Sequence, residues 1–271
     1  MRVKDLMRTR KVVSVRADDD VAMAAQLLAW AGVRHLPVLD HGRVVGVFTE
    51  RDLLRYRAET GGHGALDPVR RFMTSPAVVV NADDEIEKAM GLMVAGKRGC
   101  LPVVDGHELV GILTSTDVVG RVFVKARESA RHAHGPLVKD AMKSALATVH
   151  PDEPILEAVA RMVERQIRHL PVVDRSGRLV GILSDRDVRT AIGDPVEALA
   201  RESAGLESMP VSSVMTTDVV TARPEGSLAD IARRFVDDRV GAMPVVAEGG
   251  SLVGIISYLD VLEASRRFVP V

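Results

Sequence analysis

Gly181-Ile182-Leu183-Ser184-Asp185-Arg186-Asp187 is one of four related stretches in the 271-residue chain. Each copy contains a glycine, an apolar run, a serine or threonine, and an aspartate three positions after that hydroxyl residue. The apolar run predicts a buried strand, and the hydroxyl residue with the aspartate is typical of a capped helix N-terminus. A strand that leads into a helix N-terminus also offers backbone donors to an anion. The other copies lie at residues 46–52, 111–117 and 254–260.

An amphipathic helix is predicted before each copy. At a constant distance upstream of a Pro-Val pair, apolar residues begin to recur at i, i+3, i+4, i+7 and i+8, which indicates one buried helix face. Acidic or turn residues precede these helices and suit the N-cap and the positive end of the helix dipole. The predicted helices begin at Val21, Ile86, Ile155 and Leu228, and the prolines are Pro37, Pro102, Pro171 and Pro244.

Strands are predicted on both sides of each helix. A short β-branched run comes before it, at residues 12–15, 77–80, 147–149 and 219–221. Two apolar runs joined by a polar turn follow it, as in residues 169–173 and 179–183, and this pattern predicts a hairpin. Each repeat therefore has the predicted order β-α-β-β-α, and the fold class is α/β (α+β).

Composition excludes several classes of function. The net charge of −1 and an aromatic content of 3% give no general basis for binding nucleic acid or an acidic membrane surface. No apolar run approaches the roughly 18 residues of a membrane span. The single cysteine, Cys100, lies in an apolar run and is interpreted as a buried hydrophobe, which favours a reducing, cytoplasmic location. Because the N-terminus enters the first repeat directly, no signal peptide is expected.

The four repeats are not equivalent. Repeats one and three contain Arg-His-Leu-Pro-Val, whereas repeats two and four have Gly-Cys-Leu-Pro-Val and Gly-Ala-Met-Pro-Val. A duplicated pair of repeats accounts for this alternation, with a module boundary in the polar stretch at residues 131–136. The expected repeats cover residues 1–58, 67–131, 136–193 and 209–268, grouped into modules 1–131 and 136–271.

These features together resemble the CBS-domain family, in which paired repeats form Bateman modules. The resemblance rests on the starting methionine of each copy, the Pro-Val strand and the Gly-apolar-x-Ser/Thr-x-x-Asp turn, and it covers nearly the whole chain. The overall organisation is similar to the γ regulatory subunit of AMP-activated protein kinase, which also has four repeats. The starting methionines are Met7, Met73, Met142 and Met215.

The resemblance implies clefts for adenosine-containing ligands and assigns roles to residues in them. Ribose hydroxyls would bind Asp52, Asp117, Asp187 and Asp260, and the ribose or phosphate would meet Thr49, Thr114, Ser184 and Ser257. Phosphate would face Arg34, His35, Arg168 and His169. The base would lie near Val13, Val78, Ala147 and Val220, with Leu36, Leu101, Leu170 or Met243 alongside.

Side-chain chemistry agrees with this assignment. A carboxylate accepts two hydrogen bonds from a vicinal diol, and arginine binds phosphate bidentately. Basic residues concentrate in repeats one and three, where Arg51 and Arg186 stand beside the turn aspartates. Phosphorylated ligands are therefore expected to depend more on Asp52 and Asp187 than on Asp117 and Asp260.

The sequence favours a non-enzymatic regulatory protein that binds AMP, ADP or ATP, has no catalytic cofactor or metal, and signals to an unidentified protein partner. NAD, S-adenosylmethionine and diadenosine polyphosphates remain alternative ligands. An interaction scaffold with vestigial clefts and a nucleotide-processing enzyme remain alternative functions, and the Ser/Thr-x-x-Asp turns would also serve as plain helix caps. Two modules can close on each other within one chain or pair across a homodimer.

Overall fold

The structure, a computed structural model, describes residues 1–9, 12–60, 66–121, 136–192, 208–238 and 240–268. The expected module boundary at residues 131–136 lies almost entirely outside these ranges. Repeat one contains β1 (Val15–Arg16), α1 (Val21–Ala31), β2 (His35–Asp40), β3 (Arg43–Thr49) and α2 (Glu50–Thr60). Repeat two contains β4 (Val80–Asn81), α3 (Ile86–Ala95), β5 (Cys100–Asp105), β6 (Glu108–Thr114) and α4, which is described over residues 115–121.

The second half follows the same plan with shorter sheets. Repeat three contains α5 (Ile155–Glu164), β7 (His169–Val173), β8 (Leu179–Ser184) and α6 (Asp185–Ile192). Repeat four contains α7 (Leu228–Asp237), β9 (Ala242–Val246), β10 (Leu252–Ser257) and α8 (Tyr258–Phe268). In every repeat the two long strands pair as an antiparallel hairpin.

The helices begin where the apolar periodicity predicts. The first helix of each repeat starts at Val21, Ile86, Ile155 or Leu228, and all four of these side chains are fully buried. Two of the expected caps form, because Asp20 accepts from the Met23 amide and Ser227 accepts from the Ala229 amide. Glu85 and Pro154 occupy the same position without a side-chain cap hydrogen bond.

The first strand of each repeat is shorter than predicted. In repeats one and two it has two residues, which pair in parallel with the hairpin, as Val15 does with Val38. In repeats three and four it is reduced to single bridges, Val149 with Val172 and Ala222 with Val245. The rest of each β-branched run is extended chain that leads from the starting methionine toward the hairpin.

The two repeats of a module exchange their first segments. Arg8 forms a bridge with Ile112 of repeat two, while Thr74, at the start of repeat two, forms a bridge with Val47 of repeat one. The second module repeats this exchange through Lys143 with Ile255 and Thr216 with Ile182. Each exchanged segment contains a single 3-10 turn that begins with a fully buried valine, and these are Val3, Val69, Val138 and Val211.

The exchange explains why the motif has a glycine and why each repeat starts with a methionine. A Cβ atom on Gly181 would lie 2.7 Å from Sδ of Met215, and one on Gly111 would lie 2.8 Å from Sδ of Met7. A real Cβ does not approach a neighbour so closely, so the methionine occupies space that only glycine leaves open. The two signature residues therefore pack together across repeats.

The modules also pack against each other within one chain. Helix α3 of repeat two contacts α8 of repeat four, and one hydrophobic core is continuous across these repeats. Helix α2 of repeat one contacts α5 of repeat three, where Leu54 enters the core of repeat three. The four hairpin-to-helix turns can therefore contribute to shared clefts.

Candidate functional site

The turn aspartates are held in one geometry in all four repeats. In repeat three, Oδ2 of Asp187 accepts from the Ser184 amide at 2.8 Å and from the Ser184 hydroxyl at 2.6 Å. The same pair of bonds joins Ser257 to Asp260, Thr49 to Asp52 and Thr114 to Asp117. The predicted cap is therefore present, and it uses only one oxygen of each carboxylate. The other oxygen, Oδ1, takes no part in these cap hydrogen bonds.

A cavity of about 810 Å³ opens beside Asp260. Its walls include six of the predicted site residues, which come from repeats one, three and four: Arg51, Ala147, Arg168, His169, Ser257 and Asp260. The size is within the range of small-molecule sites in proteins, about 300–1,000 Å³. Ala147 is half-buried and lies with Leu146 and Ile167 in the apolar part of the lining.

The charged residues of the cavity lining are mainly basic. Five basic side chains and two acidic ones line it, and Lys97 of repeat two is among the basic ones. The two acidic residues, Asp260 and Glu263, both lie near Nζ of Lys143, at 3.5 and 3.8 Å. The remaining basic residues are Arg51, Lys97, Arg165 and Arg168, so the charge of the cleft suits an anionic ligand.

Arg168 lies close to groups from all four repeats. Its Nη1 donates to the Tyr258 hydroxyl at 3.1 Å and would lie 3.2 Å from a Cβ on Gly99. Burial opposes its positive charge, but Tyr258, Asp185 and Glu50 help to raise its pKa. Arg168 therefore stays charged at the centre of the molecule, where repeats one, two, three and four meet.

Arg51 brings a second guanidinium near Arg168. Its Nη2 donates to the backbone oxygen of Gln166 at 3.1 Å. This hydrogen bond joins a side chain of module one to the backbone of module two. Burial lowers the pKa of Arg51, and the nearby charge of Arg168 lowers it further. Arginine remains protonated at neutral pH despite such shifts. Two like charges in one cleft are an arrangement that a phosphate group between them would stabilise.

The two predicted phosphate-facing histidines are uncharged at neutral pH. Burial lowers the pKa of His169 to about 4 and holds the pKa of His35 well below its usual range, and the charges of Arg168 and Arg34 reinforce both shifts. His169 lines the cavity, whereas His35 is buried and its Nε2 has no hydrogen-bond partner among the residues that the structure describes. Histidine can therefore orient a ligand here by hydrogen bonding rather than by charge.

Other predicted residues lie near the clefts or beneath them. The four base-slot residues, Val13, Val78, Ala147 and Val220, are all half-buried in extended chain. Arg34 is half-buried and close enough to His35 to act on its pKa, whereas Arg186 is exposed and is not part of the cavity wall. The residues expected alongside the base belong instead to the hydrophobic cores and are fully buried: Leu36, Leu101, Leu170 and Met243.

The pairing of basic and acidic residues differs from the sequence-based expectation. The sequence associated Arg168 with Asp187, which belongs to the same repeat. In the structure Arg168 and His169 line a cavity with Asp260 of the following repeat. The reason is the exchange of first segments, because residues 142–147 run from the turn of repeat four back into repeat three.

Several cavity residues were missed by sequence reasoning. Lys97, Lys143 and Arg165 lie outside the motif, and Tyr258 lies within the turn of repeat four but was assigned no role. Lys143 directly follows the starting methionine Met142, so its position relative to the motif was the available signal. Lys97 has a positive φ of 49° at the end of α3 and could not be placed without the structure.

Cys100 is buried close to Arg168. Burial raises the pKa of the Cys100 thiol to about 12, as befits the buried hydrophobe predicted from the sequence. Across the described ranges, no group of three or more histidine, cysteine, aspartate and glutamate side chains is placed to hold a metal ion. Among the described helices, none has the length and apolar character needed to cross a membrane.

Comparison with known proteins places four family matches along the chain. The model of the CBS domain matches residues 3–59, 69–123, 138–194 and 211–267. Among curated proteins, MJ1225 of Methanocaldococcus jannaschii is 27% identical over 282 residues, covering 97% of this chain and 98% of that protein. The Bacillus subtilis CBS domain-containing protein YhcV is 35% identical over 124 residues, covering 45% of this chain and 81% of YhcV.

Solved structures share the whole arrangement. The crystal structure of MJ1225, described as a proposed archaeal homologue of the γ subunit of AMPK, superposes with a TM-score of 0.86 at 25% identity, covering 97% of this chain and 99% of that one. An uncharacterized conserved protein from Pyrococcus horikoshii, at 24% identity, has a TM-score of 0.67 and covers the same shares. The second likeness concerns the fold alone.

Proposed function

Because the chain belongs to the CBS-domain family, with four such domains along its length, we propose that it is a regulatory protein that binds an adenine nucleotide of the AMP, ADP or ATP class. Its organisation matches that of the AMPK γ subunit, through the likeness to MJ1225. The ligand, the signalling and the partner protein belong to this proposal.

The observation that carries the proposal is the composition of the cavity at Asp260. The helix cap uses Oδ2 of Asp260, so Oδ1, which lies 3.5 Å from Nζ of Lys143, is the oxygen that would accept from the diol of a ribose. Half-buried Ala147 and its apolar neighbours offer a surface for the base, and Arg51, Lys97 and Arg168 supply positive charge for phosphate. These three kinds of surface are what a nucleotide requires.

Charge separates the candidate ligands. S-adenosylmethionine carries a positive sulfonium, which a lining with more basic than acidic residues disfavours. NAD and diadenosine polyphosphates also carry phosphates, so a basic lining does not exclude them as it disfavours S-adenosylmethionine. We expect calorimetry to give the order phosphorylated nucleotide, then adenosine, then S-adenosylmethionine, and equal affinity for all three would contradict the proposal.

Asp260 provides the direct test of the ribose site. In Asp260→Ala, AMP is expected to lose about tenfold or more in affinity at this cleft, because hydrogen bonds to a charged group contribute about 1.5–3 kcal/mol. Calorimetry on Asp105→Ala, which removes an exposed carboxylate at the end of β5, supplies the control. Binding that is as strong in Asp260→Ala as in the control would rule out this cleft.

Signalling follows from where the basic residues originate. Arg51 and Lys97 belong to module one, whereas Asp260, His169 and Lys143 belong to module two. A ligand that touches both sets binds better to one arrangement of the modules than to another, and this difference is what shifts the equilibrium between arrangements. A protein partner that recognises one arrangement would then respond to the nucleotide.

Two alternative functions, a scaffold and a nucleotide-processing enzyme, predict different experimental results. A scaffold with vestigial clefts would show no thermal shift with any nucleotide, whereas a binder is stabilised increasingly as ligand concentration rises. A nucleotide-processing enzyme would convert ATP or a diadenosine polyphosphate to products during incubation. We expect a concentration-dependent shift without turnover.

A further inference from the structure

The exchanged segments place one residue of each repeat on the turn motif of its partner repeat, and in three of the four repeats its side chain lies within 3.5 Å of the turn aspartate. This residue follows the starting methionine, and we name it the facing position. Its backbone is fixed by two mutual hydrogen bonds with the first apolar residue of the motif, as between Arg8 and Ile112 at 2.9 and 3.1 Å. The four facing positions are Arg8, Thr74, Lys143 and Thr216.

The facing residues differ in how closely their side chains approach the turn aspartate. Nε and Nη2 of Arg8 both donate to Oδ1 of Asp117, at 2.9 and 2.6 Å. The Thr216 hydroxyl lies 3.5 Å from Oδ1 of Asp187, and Nζ of Lys143 lies 3.5 Å from Oδ1 of Asp260. Thr74 is short like Thr216. Of these three residues, only Arg8 forms two charge-assisted hydrogen bonds of ordinary length to its aspartate.

Arg8 therefore holds Oδ1 of Asp117 at ordinary hydrogen-bond length, whereas the side-chain groups recorded nearest to Oδ1 in the other three repeats lie 3.4–3.5 Å away. Oδ2 of Asp117 already accepts from the amide and hydroxyl of Thr114, so both carboxylate oxygens are engaged. The Asp117 side chain is 14% exposed, and the guanidinium lies at Oδ1, the oxygen that the cap does not use. Two hydrogen bonds from one guanidinium to one carboxylate must break before a diol can bind.

We propose that Arg8 closes the Asp117 cleft to ribose, and that the residue at the facing position determines which of the four clefts accepts a nucleotide. This inference rests on the proposed function, because it concerns the number of nucleotide sites. Threonine at positions 74 and 216 brings no positive charge to Oδ1 of Asp52 or Asp187 from this side, and Nη2 of Arg55 in α2 lies 3.4 Å from Oδ1 of Asp52. Lys143 lies farther from its aspartate, shares its charge with Glu263, and stands in the wall of an open cavity.

The test measures binding stoichiometry by calorimetry with AMP. Arg8→Thr copies the residue found at the two equivalent positions, and Arg8 is 63% exposed, so the variant is expected to fold. We expect Arg8→Thr to bind one more AMP per chain than the unaltered protein, and Arg8→Thr/Asp117→Ala to lose that extra site. Asp117→Ala alone should leave the stoichiometry unchanged. The reciprocal variant Thr74→Arg should remove one site, at Asp52.

The outcomes separate this inference from the proposed function. If the unaltered protein binds AMP and Asp117→Ala removes a site from it, the cleft is open and the role of Arg8 is wrong. The role of Arg8 is also wrong if Arg8→Thr leaves the stoichiometry unchanged or lowers it, the latter meaning that Arg8 holds ligand. If none of these proteins binds AMP, the proposed function fails together with this inference.

Discussion

His169 shows how a single side chain can serve both the site and the stability of the fold. It lines the cavity, yet burial lowers its pKa to about 4, so the folded protein keeps it neutral at pH values where an exposed histidine is protonated. Its Nε2 also lies close to Gly241, only 2.7 Å from the position that a Cβ on this glycine would take. A charge at this position would be poorly solvated and close to Arg168.

The free energy of unfolding is expected to depend on pH through His169. The unfolded chain protonates this residue below about pH 6.5, whereas the folded chain does so only near pH 4, so the unfolded state binds more protons between these values. Stability should therefore fall as pH drops from about 6.5 toward 4. When the pH is lowered from 7.5 to 5.5, the free energy of unfolding should fall in both proteins. We expect the fall to be about 1 kcal/mol smaller in His169→Gln than in the unaltered protein.

Urea denaturation at the two pH values measures this difference. His41→Asn serves as the control, since His41 is exposed in the turn between β2 and β3 and has a positive φ that asparagine tolerates. If His41→Asn and His169→Gln show the same change of stability with pH, His169 is not the residue responsible.

At the scale of elements, the alternation of Arg-His and glycine among the repeats acquires a packing explanation. A Cβ on Gly99 would lie 3.2 Å from Nε2 of His35, and Gly241 has the corresponding relation to His169. The Arg-His pairs at the start of the hairpins in repeats one and three thus occupy space that the glycines of repeats two and four leave open. The sequence indicated only a difference in ligand charge, because this contact joins hairpins of different repeats.

Substitution of Gly241 by alanine should destabilise the protein by about 1–3 kcal/mol, the usual cost of forcing extra volume into a packed interface. The reason is the overlap between the new Cβ and the His169 ring. Urea denaturation is the measurement, with Gly249→Ala as the matched control, because a Cβ on Gly249 meets no atom within 4 Å. Truncation of the ring in Gly241→Ala/His169→Ala should remove the penalty specific to Gly241. Equal stability of Gly241→Ala and Gly249→Ala would contradict the packing explanation.

Element boundaries show what local sequence can and cannot determine. The starts of α1, α3, α5 and α7 were predictable, since each depends on a periodic apolar stripe within one segment. The length of the first strands was not, because pairing with the hairpin decides it and only a few residues reach β2 or β5. The exchange of segments was also hidden, since Met7 and Met73 have equivalent surroundings in the sequence.

At the scale of the whole molecule, the cavity depends on contacts between modules. Arg51 of repeat one reaches Gln166 of repeat three, and Arg168 lies against Gly99 of repeat two. Periodicity and spacing predicted four turn aspartates, and their cap geometry is the one the motif suggested. The partners of each aspartate could not be predicted, because they come from repeats that are distant in sequence.

Arg51→Ala should weaken ADP binding at the Asp260 cleft about five- to tenfold, although the substitution lies in the other module. The loss follows from removing one charge-assisted contact to phosphate, and it should shrink as salt concentration rises. Calorimetry at low and moderate salt measures both effects. Arg43→Ala is the control, since Arg43 is exposed at the far end of the same hairpin. An affinity for ADP that Arg51→Ala leaves unchanged would mean that module one makes no contact with the phosphates.

The exchange of first segments also sets an order of events during synthesis on the ribosome. The core of repeat one includes Val69 and Phe72, which are translated after the rest of that repeat. A nascent chain that has just completed α2 therefore still exposes apolar surface that these two side chains will cover. Repeat two differs, because Val3 is already available when its own core residues emerge, and the residues still missing from that core belong to the second module. No single repeat can therefore complete its core from its own residues as the chain is made.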